Sequence, residues 1–162
     1  MMKRKVLVSL FLVLFAASHA IAQGKPQVIV QVERVFQEKE PLWKVERVNV
    51  QNLQDPFSES LVFRSGKLRA LVTLNVWKRA QDAHDVFEAN SIAYDNIVGG
   101  KRMKSRLPNL EDENYIWTNR GSDAWPNLLF RKGHVFVTVG APSVTTARRF
   151  AQHVVEQIPA AP

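Results

Sequence analysis

Two stretches of the chain, "LVFRSGKLRALVTL" at residues 61–74 and "LLFRKGHVFVTV" at residues 128–139, follow one pattern. Each runs Leu-apolar-Phe-Arg-x-Gly into a second apolar segment that carries an apolar-Thr-apolar triplet, Val72-Thr73-Leu74 in one and Val137-Thr138-Val139 in the other. A glycine between two β-branched and aromatic runs reads as a hairpin turn, because glycine adopts positive φ without steric penalty. A two-residue Ser65-Gly66 loop sets Phe63 opposite Leu68, and the matching turn sets Phe130 opposite Val135. Side chains alternate along each strand. One face then holds Leu61, Phe63, Leu68, Ala70, Val72, Leu74 and Val76 with Leu128, Phe130, Val135, Val137 and Val139, and is the expected core. The other face collects Val62, Arg64, Arg69, Leu71, Thr73, Asn75 and Trp77 with Leu129, Arg131, His134, Phe136 and Thr138.

Each hairpin is followed by a helical pattern. After the first, Ala80, Ala83, Val86, Phe87 and Ala93 fall near helical spacing, with Asp82 and Asp85 early, where acidic groups favour a helix N-terminus. The helix is expected from about Arg79 to Tyr94. After the second, Pro142-Ser143 starts a helix whose Ala147, Phe150, Ala151, Val154, Val155 and Ile158 line one face. Between them, "NYIWT" reads as a strand, and "GGKRMKSRLPNLEDE" reads as a loop with a basic half and an acidic half. The fold class that follows is α+β: an antiparallel sheet with two helices on one face, built from two similar β-hairpin–helix halves.

Residues 27–51, "QVIVQVERVFQEKEPLWKVERVNVQ", fit two periods at once. Val28, Val30 and Val32 alternate as in a strand, whereas Ile29, Val32, Val35 and Phe36 share a helical face. The density of β-branched residues and the break at Pro41 favour a hairpin turning near residues 38–41.

The first residues place Lys3, Arg4 and Lys5 ahead of an apolar run from Val6 to Ala17 and a small-residue end at Ala20-Ile21-Ala22. That is the layout of a secretory signal peptide, with cleavage expected before Gln23. The run falls short of the roughly 18 apolar residues that span a bilayer. Residues 1–22 are thus expected to be removed, leaving one domain at 23–162 in a secreted or periplasmic location. The formal charge of +7 drops to about +4 once the three leader cations are gone. With no cysteine anywhere, neither disulfides nor thiolate metal sites are available.

The search for chemistry finds little. No His-x-x-x-His or His-Glu-x-x-His spacing occurs, and no nucleophile elbow or phosphate-cradling glycine loop. No cofactor or metal site is expected. His84 in "DAHD" and His153 beside the last apolar stripe read as surface histidines, and His134 at its hairpin turn stands nearest a possible site. Trp117 and Trp125 flank a polar turn and either clamp a flat ligand by stacking or, as is favoured beside hairpin turns, pack against the end of the sheet. Lys101, Arg102, Lys104 and Arg106 form a basic cluster suited to an anionic envelope surface rather than to nucleic acid.

These features point to an exported, non-catalytic ligand-binding or protein-interaction domain. Its expected contact residues are Arg64, Arg69, Trp77, Arg131, His134 and Phe136 on the second sheet face, and its expected partners are a ligand, an envelope protein or a second copy of the chain. The alternative is a small extracytoplasmic hydrolase using His134 with the carboxylates of residues 111–113.

Overall fold

The computed structural model describes residues 24–52, 55–97, 101–108, 110, 113–118 and 125–159. The leader at 1–22 therefore lies outside the described residues, as do Glu111 and Asp112 of the acidic run. Helix α1 spans Gln27–Lys39, followed by strands β1 (Lys44–Asn52), β2 (Phe57–Ser65) and β3 (Leu68–Val76). Helix α2 covers Ala80–Ile97, then come β4 (Lys101–Lys104), β5 (Asn114–Thr118), β6 (Asn127–Lys132), β7 (Val135–Gly140) and helix α3 (Val144–Val155). The seven strands make one antiparallel sheet in the order β1-β2-β3-β7-β6-β5-β4, two meanders joined where β3 pairs with β7. The chain is α+β.

Both Arg-x-Gly hairpins form, with turns one residue further along than expected. Ser65 faces Leu68 and Phe63 faces Ala70, while Lys132 faces Val135 and Phe130 faces Val137. Gly66 at φ +60 and Gly133 at φ +58 occupy the first loop position in each case, where a type II′ turn needs its glycine. The shift moves partners by two, so the division of side chains between faces is unchanged. Leu68 alone among the expected core residues is well exposed, because it closes the turn beyond the helices.

The hairpin expected over residues 27–51 is not what forms. Residues 27–39 are helical and only 44–52 are extended. Ile29, Val32 and Phe36 lie on the sheet, with Val28 and Val35 also buried, and this burial outweighs the strand preference of the valines. Phe36 packs against Phe63 of β2 and Phe150 of α3 with ring centroids 4.6 and 4.8 Å apart, so one aromatic group ties both helices to the sheet. Pro41, two residues past the end of α1, cannot continue it.

Helix α3 forms as expected. The Ser143 hydroxyl caps it by accepting the Thr146 N–H at 3.1 Å, and Lys132 Nζ donates to the carbonyls of Val155 (3.1 Å) and Ile158 (2.6 Å) at its other end. Two helices do share one face of the sheet, but they are α1 and α3. Helix α2 lies on the other, where Phe87 joins Trp117, Leu129 and Phe136 in a separate small core. Leu129 alternates with Leu128 and Phe130, which belong to the main core, and this alternation places α2 opposite α1 and α3. Two similar hairpin–helix halves about a twofold axis normal to the sheet would need α2 on the same face as α3, and α2 packs on the opposite one. The helices therefore break the symmetry that the hairpins suggest.

Candidate functional site

Helix α2 packs against β6 and β7 and meets β5 through Trp117 and Tyr115, so it covers only half of the second sheet face. On the other half, over β2 and β3, the side chains that alternate with the buried Leu61, Phe63, Ala70 and Val72 remain at least partly open to solvent. They are Ser58, Ser60, Val62 and Arg64 on β2, and Arg69, Leu71, Thr73 and Asn75 on β3. The Ser60 and Thr73 hydroxyls hydrogen-bond to each other at 2.9 Å across the strands. The floor is thus a mixture of hydroxyl, amide and aliphatic groups, and its turn end carries the charge.

That charge is unbalanced. Arg64 Nη2 lies 3.4 Å from Glu46 Oε1, while Arg69 donates to the same oxygen from Nη2 at 3.2 Å and holds its Nε 3.2 Å from Oε2. Two guanidinium groups share one carboxylate, which leaves a net positive rim. Beside it, Leu42, Lys44, Glu46, Arg64 and Gly66 line a shallow recess of about 450 Å³.

The six expected contact residues do not converge. Arg64 and Arg69 stand together at the β2–β3 turn. Phe136 is buried under α2, with its ring 6.3 Å from that of Phe87, so it is a packing residue and not a contact residue. Trp77 donates its backbone N–H to the His134 carbonyl at 3.0 Å, which seats both at the far end of β3 and β7. His134 itself is exposed and lines a recess of about 260 Å³ with Pro26, Gln31 and Pro159, against α1 and the end of α3.

Arg131 is committed to structure. It donates to both carboxylate oxygens of Glu113, at 2.6 Å from Nη2 to Oε1 and from Nε to Oε2, and its Nη1 donates to the Gly133 carbonyl at 2.7 Å. His84 of α2 completes the cluster by placing Nδ1 2.8 Å from Glu113 Oε1. Burial, the largest single influence on Glu113, pushes its carboxyl upward, but the hydrogen bonds and charges of Arg131 and His84 together outweigh it and hold the group below its ordinary range. The histidine–carboxylate pair that the hydrolase alternative assigned to His134 is therefore made by His84. No sequence spacing announces it, since His84 and Glu113 are 29 positions apart. Both Glu113 oxygens are engaged by Arg131, and the group serves as an anchor joining α2, the lead-in to β5 and the β6–β7 turn.

Glu113 yields a pH-dependent expectation. Its folded pKa lies below the ordinary carboxylate value of 4.5, so its contribution is present above that value and is lost as pH falls through the folded pKa. Glu113→Gln should cost about 2 kcal/mol at pH 7 and much less at pH 3, as read by urea unfolding at the two pH values. An equal loss at both would remove the anchor role.

The remaining expectations resolve individually. The expected basic loop contains an edge strand, β4, because pairing with β5 gives its backbone partners. Arg102 donates to Asp95 at 2.9 Å, and Arg102 and Lys104 lie 4.4 and 4.6 Å from the centre of the Tyr115 ring. They brace α2 against β5, and this use competes with a free anionic-surface role. Arg106 takes φ 56 just beyond the strand, and the Lys101 side chain lies outside the described residues. The tryptophan clamp is not formed: Trp117 is fully buried, with Nε1 donating to Asp95 at 2.9 Å, while Trp125 is 40 % exposed. His153 contacts Glu40 at 3.0 Å, and Arg149 reaches the same oxygen at 2.7 Å. Among the described residues no cluster of His, Asp and Glu fits a metal ion.

Comparison with family models, curated proteins and solved structures gives no match.

Proposed function

We propose that this protein is an exported interaction domain that binds a partner through the open half of its second sheet face. The carrying observation is the division of that face: α2 covers β5 to β7, and a floor of Ser58, Ser60, Val62, Leu71, Thr73 and Asn75 is left over β2 and β3. With the edge strand β1 alongside, β1, β2 and β3, each nine residues long and about 4.8 Å apart, make a surface roughly 15 by 30 Å, enough to seat one helix of about 10 Å diameter or one extended segment. Half of the face already carries such an element in α2. The mixed polar and apolar floor suits a non-obligate interface, and the excess positive charge at Arg64 and Arg69 favours a segment with an acidic end.

Export is the second part of the reading, and it rests on the basic residues Lys3, Arg4 and Lys5, the apolar run and the small-residue end at Ala22. It makes an envelope protein or a ligand held in the envelope the natural partner.

The test is photocrosslinking in the producing cells, with a photoreactive side chain placed singly at Leu71 or at Ile92. Leu71 lies on the open floor and is 36 % exposed, whereas Ile92 lies on α2 and is 58 % exposed. A discrete adduct from the Leu71 position, with none from the more exposed Ile92, is the expected result. Adducts from Ile92 alone would move the contact surface to α2.

A further inference from the structure

Strand β1 forms one edge of the sheet and bonds only to β2 among the described residues. Its Val45, Val48 and Val50 stand opposite Phe63, Leu61 and Glu59, residues of the α1 and α3 face that are fully buried. The three valines nevertheless remain 40, 45 and 47 % exposed. The helices stop short of them. Val30 of α1, 40 % exposed, shares a helix flank with Gln37, and Gln37 lines a recess together with Val45. The three valines of the outer strand therefore form an apolar margin along an unpaired backbone edge, with Val30 exposed on the helix nearby. Monomeric proteins usually guard such an edge with charge or proline. Here residues 48–52, "VNVQN", carry neither.

We propose that β1 pairs antiparallel with β1 of a second copy, about a twofold axis through Asn49. This register sets Val48 opposite Val50 of the second copy, and Val50 opposite its Val48, all on the helix side. Asn49 meets Asn49, and Arg47 lies across from Gln51. Glu46 falls opposite Asn52, so no like charges are opposed and two identical strands meet without repulsion. The irregular pairing between Val45 and Arg47 ends the regular segment on the side where the charges begin. A different partner strand would need its own match to this neutral, valine-flanked stretch; a second copy supplies that match by symmetry. The pairing would turn the seven strands into a continuous sheet of two copies and set their open floors side by side. It does not depend on what those floors bind.

The absence of cysteine makes the test direct. Residues opposed in an antiparallel pair lie about 4.5–5.5 Å apart at Cα, within the roughly 4.4–6.8 Å range of a disulfide. Asn49→Cys should give a disulfide-linked dimer on mild oxidation, far faster than Ile92→Cys, and light scattering on the unsubstituted protein should show its mass doubling as concentration rises. Val48→Lys with Val50→Lys, at exposed positions that leave the core intact, should abolish that doubling while the circular dichroism spectrum stays unchanged. A mass that remains that of one chain throughout the series would overturn the proposal. So would a dimer that survives the double substitution or fails to link through Asn49→Cys.

Discussion

Phe136→Ala lowers the free energy of unfolding by about 3–5 kcal/mol, the usual loss for a large aromatic side chain removed from a packed site. The expectation follows from the side of the sheet that α2 occupies. Phe136 is only 3 % exposed, packed with Phe87, Trp117 and Leu129 in the small core that holds α2 down. Leu71, on the same sheet face but over the open half, has no helix above it, and Leu71→Ala should change stability by less than about 1 kcal/mol. Urea unfolding of the two variants measures the contrast. Similar small losses would mean that α2 does not cover Phe136, and the divided face would fall with it.

Lys25→Met is expected to cost about 3 kcal/mol at pH 7, because it strands a carboxylate inside the protein. Glu59 on β2 is fully buried, and Lys25 Nζ sits 2.9 Å from its Oε2 and 2.8 Å from Glu33 Oε1. One ammonium group thus serves two carboxylates. Burial is the largest influence on Glu59 and pushes its pKa up; the neighbouring Glu33 adds to this, and Lys25 offsets it only in part. A carboxyl raised above its unfolded value stabilises the fold fully below that value, near 4.5, and the contribution is lost as pH rises through the folded pKa. The Lys25→Met deficit should therefore be small at pH 4 and large at pH 7, the same direction as for Glu113→Gln although the two carboxyl groups are shifted in opposite senses. Adding Glu59→Gln should restore most of the stability at pH 7, since a neutral amide does not need the ammonium. A deficit independent of pH, or one that Glu59→Gln fails to relieve, would contradict the stranded-charge account.

The hairpins were legible because their signal is local: glycine at a turn and alternation on either side fix strand, turn and face within fourteen residues. The last helix was legible for the same reason, with Ser143 at its cap and a single apolar stripe through Val155. Residues 27–39 were not, because Val28, Val30 and Val32 satisfy both periods and only the distant Phe63 and Phe150 decide between them. The side on which α2 packs was hidden too. Nothing in residues 77–80 distinguishes a crossing to one face from a crossing to the other, and the choice decides whether Phe136 and Leu129 are floor or core. The same choice determines the candidate site. Arg64 and Arg69 follow from alternation alone, whereas Glu46, which both of them contact, lies on the second arm of the expected 27–51 hairpin, and that arm pairs with β2 instead. His84 reaches Glu113 only through the packing of α2, a contact that no spacing along the chain contains.

The proposed contact surface is one half of one sheet face, over β2 and β3. The most direct check is chemical labelling of single cysteines in a chain that has none of its own. Leu71→Cys and Ile92→Cys would each be labelled in the producing cells and again as purified protein. If the open half is the contact surface, Leu71→Cys is protected in cells and reactive once purified, while Ile92→Cys reacts equally in both. Equal reactivity of Leu71→Cys in the two settings would show that nothing occupies the open half, and would contradict the proposed function.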